Sequence, residues 1–222
     1  MFVKICGVTC EEDALLAVAM GADAVGFVFA PSPRQVQPED VRGIVRRLPA
    51  EIVTVGVFRD DTPEHVVEVI SRTGLQVAQL HGHETRSVLE EVRQHVPSVI
   101  QAVAAGDDAM QRAAGSPADI VLVDSPSPGS GRIFDWKLAE GAPRGVRLLL
   151  AGGLDPDNVT RAIRQVHPWG VDVSSGVEES PGRKDATKVR LFIERAKLAG
   201  EEVHTDGWVP GEIRPYDWQD DE

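Results

Sequence analysis

Short runs of β-branched and apolar residues alternate along this chain with longer stretches in which apolar positions recur every three to four residues. The runs fall at 2–6, 24–29, 52–58, 77–80, 99–103, 120–123, 147–150 and 171–174. Runs of that length suit strands buried on both faces, and the segments between them carry the helical period. Eight strand-then-helix units in about 200 residues fit a closed single-domain (β/α)8 (TIM) barrel, class α/β, better than an open doubly wound sheet of five or six strands. Helix starts support the reading. Thr9 and Glu12 have the spacing of a capping box for a helix over 13–20, and Thr62-Pro63 and Asp155-Pro156 each set a capping oxygen before a proline at the first helical position.

Composition adds a boundary and several exclusions. The chain has 222 residues, 42% hydrophobic and 26% charged, as an ordinary globular domain does. From Gly200 onward there are eight acidic residues and one basic residue, Arg214, together with Trp208, Trp218 and Tyr216. The expected division is therefore a barrel over 1–199 and an acidic C-terminal tail over 200–222. A formal net charge of -12 repels polyanions, so no nucleic acid and no anionic membrane is expected as a partner. A small phosphorylated molecule remains compatible, because a few backbone amides can bind it locally. Two cysteines make neither a disulfide framework nor a four-ligand zinc site unaided. The start, MFVKICGVTC, lacks a basic leader and a long apolar run, so the cytoplasm is the expected compartment, with the protein a monomer or homodimer.

Barrels of this kind place their chemistry at the carboxyl ends of the strands. Three such ends are chemically loaded. Ala151-Gly152-Gly153-Leu154-Asp155 after strand seven and Ser174-Ser175-Gly176 after strand eight are amide-rich and small. Either could be a plain tight turn, but the pair at two successive ends suits a phosphate. Cys6 ends strand one and Asp124 ends strand six, and alternation turns both inward, Cys6 with Lys4 and Asp124 with Ile120 and Leu122. A thiolate and a carboxylic acid on opposite sides of a ligand suit an isomerisation in which one takes a proton from carbon and the other gives a proton to oxygen. Lys4 has two readings, a Schiff-base lysine or a structural charge paired with Asp172, and its depth below the rim favours the second. Arg34, on the stiff loop Pro31-Ser32-Pro33, is either a surface arginine or a partner for a substrate carboxylate; spacing does not separate the two. His81 is the one histidine at a strand end, which disfavours a multi-histidine metal centre. Cys10 has no role beyond the first helical turn, and Trp136 suits core packing.

The motifs Lys4-Ile5-Cys6-Gly7-Val8-Thr9, Ser32-Pro33-Arg34, Gln79-Leu80-His81-Gly82, Gly129-Ser130-Gly131 through Phe134-Asp135-Trp136, Ala151-Gly152-Gly153-Leu154 and Asp172-Val173-Ser174-Ser175-Gly176-Val177-Glu178 fall in order at successive strand ends. Together they resemble the phosphoribosylanthranilate isomerases across nearly all of 3–199. The resemblance implies an Amadori rearrangement in tryptophan biosynthesis, with no cofactor and no metal. It implies Cys6 as the base at ribose C2 and Asp124 as the acid at the ring oxygen. Arg34 would meet the anthranilate carboxylate, and Gly152, Gly153, Ser174, Ser175 and Gly176 the phosphate, with His81 and Asp172 in support. The loop after strand six is shorter than is typical of the family and has Pro128 where a second glycine is usual.

Overall fold

The structure is a computed structural model in which residues 1–106, 115–125, 136 and 146–205 are described. Eight parallel strands close into a barrel in chain order: β1 Phe2–Cys6, β2 Ala24–Val28, β3 Val53–Phe58, β4 Val77–Leu80, β5 Ser98–Ala104, β6 Ile120–Asp124, β7 Arg147–Leu150 and β8 Gly170–Val173. Closure is made by the register of Phe2 with Gly170 and of Lys4 with Asp172. The helices described are α1 Glu11–Ala19, α2 Pro38–Val45, α3 Pro63–Thr73, α4 Arg86–Arg93, α5 Val159–Val166 and α6 Ala186–Thr205. The helical segments expected after β5 and β6 lie largely outside the described residues, as does most of the loop 125–131. After β8 the chain makes one 3-10 turn, Ser175–Val177, and then a short antiparallel hairpin of β9 Glu178–Ser180 and β10 Arg183–Lys184.

Alternation along the strands sorts the apolar residues into two cores. One fills the barrel, with Ala24, Val55, Val77, Ile100, Ala102, Ile120, Leu122, Leu149 and Ala151 packed against Phe2, Val53 and Trp169. The other lies between strands and helices and includes Val3, Ile5, Val25, Phe27, Val121, Val123, Val171 and Val173. Phe2 is therefore inward, and with it Lys4 and Cys6; Ile120 and Leu122 are inward, and with them Asp124. Trp136 is buried in the outer core, with the Arg161 guanidinium 5.0 Å from its ring.

Helix starts follow the sequence reading in one case of three. Thr62 caps α3, its hydroxyl accepting from the His65 N–H at 3.3 Å. Thr9 makes no capping box: α1 begins at Glu11 with Cys10 at the cap, and the Thr9 hydroxyl donates to the Gly182 carbonyl at 2.6 Å. A tertiary acceptor 173 residues away thus displaces a local one. Asp155 accepts from the N–H groups of Asp157 and Asn158, which closes a turn ahead of α5 instead of capping it. Helix α6 runs on through Gly200 to Thr205, so the first residues of the acidic segment are helical; 206–222 lie outside the described residues. No described helix is long and apolar enough to cross a membrane.

Candidate active site

All eight strands are parallel, so the ends carrying Cys6 and Asp124 open at one rim. Both residues are almost covered, with Cys6 7% and Asp124 8% exposed. Lys4 stands beneath Cys6, fully buried, its Nζ 2.8 Å from Asp172 Oδ1. A Cβ placed on Gly26 would lie 3.0 Å from Cys6 Sγ and 3.2 Å from Lys4 Nζ, so thiol and ammonium converge above a residue that has no side chain. Burial pushes the Cys6 thiol above its ordinary value of 9.0, while the Lys4 and Lys184 cations pull it back and Asp172 pushes it up. Burial also works against the Lys4 charge, but Asp172 and the thiol outweigh it, and the ammonium is held above its usual range. Lys4 is therefore a paired structural charge that also faces the thiol.

Across the barrel, Asp124 Oδ1 accepts from the Ser125 N–H at 2.6 Å and Oδ2 lies 3.2 Å from His81 Nε2. That separation is within ion-pair reach, but the atoms do not line up as a hydrogen bond. The other ring nitrogen, Nδ1, meets the side-chain nitrogen of buried Gln79 at 2.9 Å. Gln79 belongs to the inward face of β4 with Val77 and His81, and was not singled out from sequence because an amide carries no titration signal. Asp124 and His81 border a cavity of about 820 Å³ at the ends of β4, β5 and β6, with Arg59, Arg86 and Gln101 also on its wall.

The two glycine- and serine-rich loops interlock. A Cβ on Gly176 would stand 1.9 Å from the Leu154 carbonyl oxygen, a contact with backbone that no side-chain motion relieves. Gly152 and Gly153 take φ of 84° and 68°, in the left-handed region where a Cβ is strained. The loop after β8 thus seats against the loop after β7 only because Gly176 is bare. Gly7, at φ 72°, links this corner to the first strand: a Cβ there would meet the Arg34 Cδ at 2.5 Å and the Ser174 Oγ at 2.8 Å.

Arg34 packs over Gly7 at the end of β1, and its fork is engaged within the protein. Nε and Nη2 donate to the two carboxylate oxygens of Glu178, each at 2.7 Å. That pairing leaves the Nη1 side of the guanidinium for a ligand and holds its plane. Glu178 received no role from sequence although it stands in the motif after β8; the pairing spans 144 residues and has no local signature. Burial raises the Glu178 carboxyl, but Arg34 and Lys184 outweigh it and the net shift is below the ordinary 4.5. Such a group stabilises the fold fully above its unfolded value and loses that contribution as pH falls through the lower folded value. The melting temperature of wild type should therefore exceed that of Glu178→Gln at pH 7, and the gap should close as pH is taken below about 4.5. A gap that stays constant into acid would remove the carboxylate from the account. Among the described residues, no cluster of three or more His, Cys, Asp or Glu is placed to hold a metal ion.

A closed barrel with ionisable groups turned inward at its C-terminal rim defines the class of (β/α)8-barrel enzymes. The family model described as N-(5'-phosphoribosyl)anthranilate (PRA) isomerase matches residues 3–195, and the chain belongs to that family. It is 46% identical over 201 residues to the N-(5'-phosphoribosyl)anthranilate isomerase of Pelobacter propionicus, covering 88% of this chain and 95% of the relative. The crystal structure of phosphoribosyl anthranilate isomerase from Thermus thermophilus superposes with a TM-score of 0.84 at 43% identity, covering 89% of this chain and 99% of the other. A phosphoribosyl anthranilate isomerase in complex with reduced 1-(o-carboxyphenylamino)-1-deoxyribulose 5-phosphate aligns with a TM-score of 0.80 at 42% identity, covering 89% and 99%.

Proposed function

We propose that Cys6 and Asp124 are the base and the acid of the isomerisation, converting N-(5-phosphoribosyl)anthranilate into 1-(2-carboxyphenylamino)-1-deoxyribulose 5-phosphate for tryptophan biosynthesis in the cytoplasm. The observation that carries this reading is the pair of inward side chains, Cys6 on β1 and Asp124 on β6, at the same rim of the barrel. Asp124 gives a proton to the furanose oxygen as the C1–O bond breaks, and the nitrogen lone pair completes a C=N bond at C1. Cys6, as thiolate, takes the proton from C2; the C–H electrons form C1=C2 and neutralise the iminium. The enol then becomes the C2 ketone by gaining a proton at C1 and losing one from oxygen, so no atom enters or leaves overall. The ammonium of Lys4 favours the thiolate against a burial that opposes it. His81 orients Asp124, Asp172 fixes Lys4, and Arg34, held by Glu178, receives the anthranilate carboxylate.

The phosphate falls to Gly152, Gly153, Ser174, Ser175 and Gly176, where the two loops meet. Gly176→Ala pushes them apart. With one or two charge-assisted amide bonds lost at about 1.5–3 kcal/mol each, KM should rise about tenfold or more while kcat changes less. An unchanged KM in that variant would move the phosphate elsewhere. The reading as a whole is tested by incubating purified protein with N-(5-phosphoribosyl)anthranilate: substrate is consumed and the carboxyphenylamino ketose phosphate appears, whereas an inert protein contradicts it.

A further inference from the structure

Lys184 lies on the hairpin that follows β8, outside the barrel wall, and yet its side chain is entirely buried. Its ammonium has three protons and three oxygen partners: the Cys6 carbonyl at 2.6 Å, Glu178 Oε1 at 3.0 Å and the Ser174 carbonyl at 3.2 Å. Its own backbone N–H donates to Asp13 Oδ2 at 2.9 Å, which ties the hairpin to α1. The hairpin turn at Gly182 packs beside Thr9 and the Pro33 carbonyl. One cation therefore joins the end of β1, the end of β8 and the carboxylate that holds Arg34.

The chemistry of those partners gives the residue a task. Peptide units are planar and trans, so a carbonyl held on one side sends the next N–H to the other. Gripping the Cys6 and Ser174 carbonyls fixes the peptide planes that lead into Gly7 and into Ser175, one beside the thiol and one in the loop assigned to the phosphate. Burying an ammonium is costly unless every proton is satisfied, and the barrel closes without this hairpin.

We propose that Lys184 is a positioning residue that locks the Cys6 backbone and the Ser174–Ser175 peptide in one frame and sets a second cation, after Lys4, against the residue that carries the thiol. This rests on the roles given above to Cys6 and to the phosphate loops. The charged groups around the thiol are Lys4 beneath it, Asp172 beside Lys4, Arg34 over Gly7, and Lys184 with Glu178 on the hairpin side. Burial depresses the Lys184 ammonium, with Glu178 and the thiol opposing that shift.

The test is a carbon-13 NMR titration of protein labelled at cysteine Cβ, in which Cys10→Ser assigns the two signals. In Lys184→Met, which keeps the bulk and loses the charge, the Cys6 midpoint should rise, which lowers the thiolate fraction at a given pH. Turnover should show a lower kcat as well as a higher KM. In Lys184→Gln, which keeps an N–H donor for the two carbonyls and loses the charge, the midpoint should move in the same direction. A rise in both variants supports the proposal. An unshifted midpoint in Lys184→Met overturns it, and so does loss of stability with kcat and midpoint unchanged. If Lys184→Met does not fold, Lys184→Gln decides: an unmoved or lowered midpoint overturns the proposal. Wild-type protein inert toward N-(5-phosphoribosyl)anthranilate would strike the functional reading instead, because the titration needs no substrate.

Discussion

Cys6→Ala should lower kcat by about 10²–10⁴-fold, the range that a positioned base contributes, with a much smaller change in KM. The thiol is the group that faces both the Lys4 ammonium and the open side of Gly26, and alanine leaves nothing there to accept a proton from carbon. Fold stability should fall only slightly, since one buried sulfur is removed from a strand that keeps its ladder on both sides. Cys6→Ser should be nearly as impaired as Cys6→Ala, because a hydroxyl ionises far less readily beside the same lysine. Steady-state kinetics together with a thermal melt separates the outcomes: a variant that melts like wild type and turns over like wild type removes the thiol from the mechanism.

Asp124→Asn should be comparably severe, again about 10²–10⁴-fold in kcat. The substitution is nearly isosteric, and the amide oxygen can still accept from the Ser125 N–H that now binds Oδ1. What is lost is a proton that can be given to the ring oxygen. The double variant Cys6→Ala/Asp124→Asn should be little worse than either single one, because residues that act on one substrate as a unit are not additive. Losses that multiply in the double variant would place the two residues in independent tasks.

The barrel was legible because strands buried on both faces are written as continuous apolar runs, and the eight observed strands start and stop within a residue or so of those runs. Strand alternation also gave the inward direction of Lys4, Cys6, Asp124 and Asp172, since period two is a local property. What sequence reading missed is long-range. Thr9 leaves its expected cap for Gly182, Glu178 takes Arg34 across 144 residues, and Lys184 reaches the Cys6 carbonyl across 178. Each bond is chosen by how the post-β8 hairpin folds back over the rim, and nothing in the spacing of Arg183-Lys184 distinguishes it from an exposed turn. From sequence Gly176 is expected in a loop for anions, yet the structure shows a separate reason for a glycine there, the Leu154 carbonyl in the place of its Cβ, which exists only in three dimensions.

The arrangement can be seen directly by crystallising this chain with reduced 1-(o-carboxyphenylamino)-1-deoxyribulose 5-phosphate. The expected complex has Cys6 Sγ within about 3.5 Å of the sugar carbon C2, Asp124 within hydrogen-bond reach of the sugar oxygens from the opposite side, and the phosphate between Gly152-Gly153 and Ser175-Gly176. A ligand bound elsewhere, or bound here with either side chain out of reach of the sugar, would contradict the assignment of base and acid.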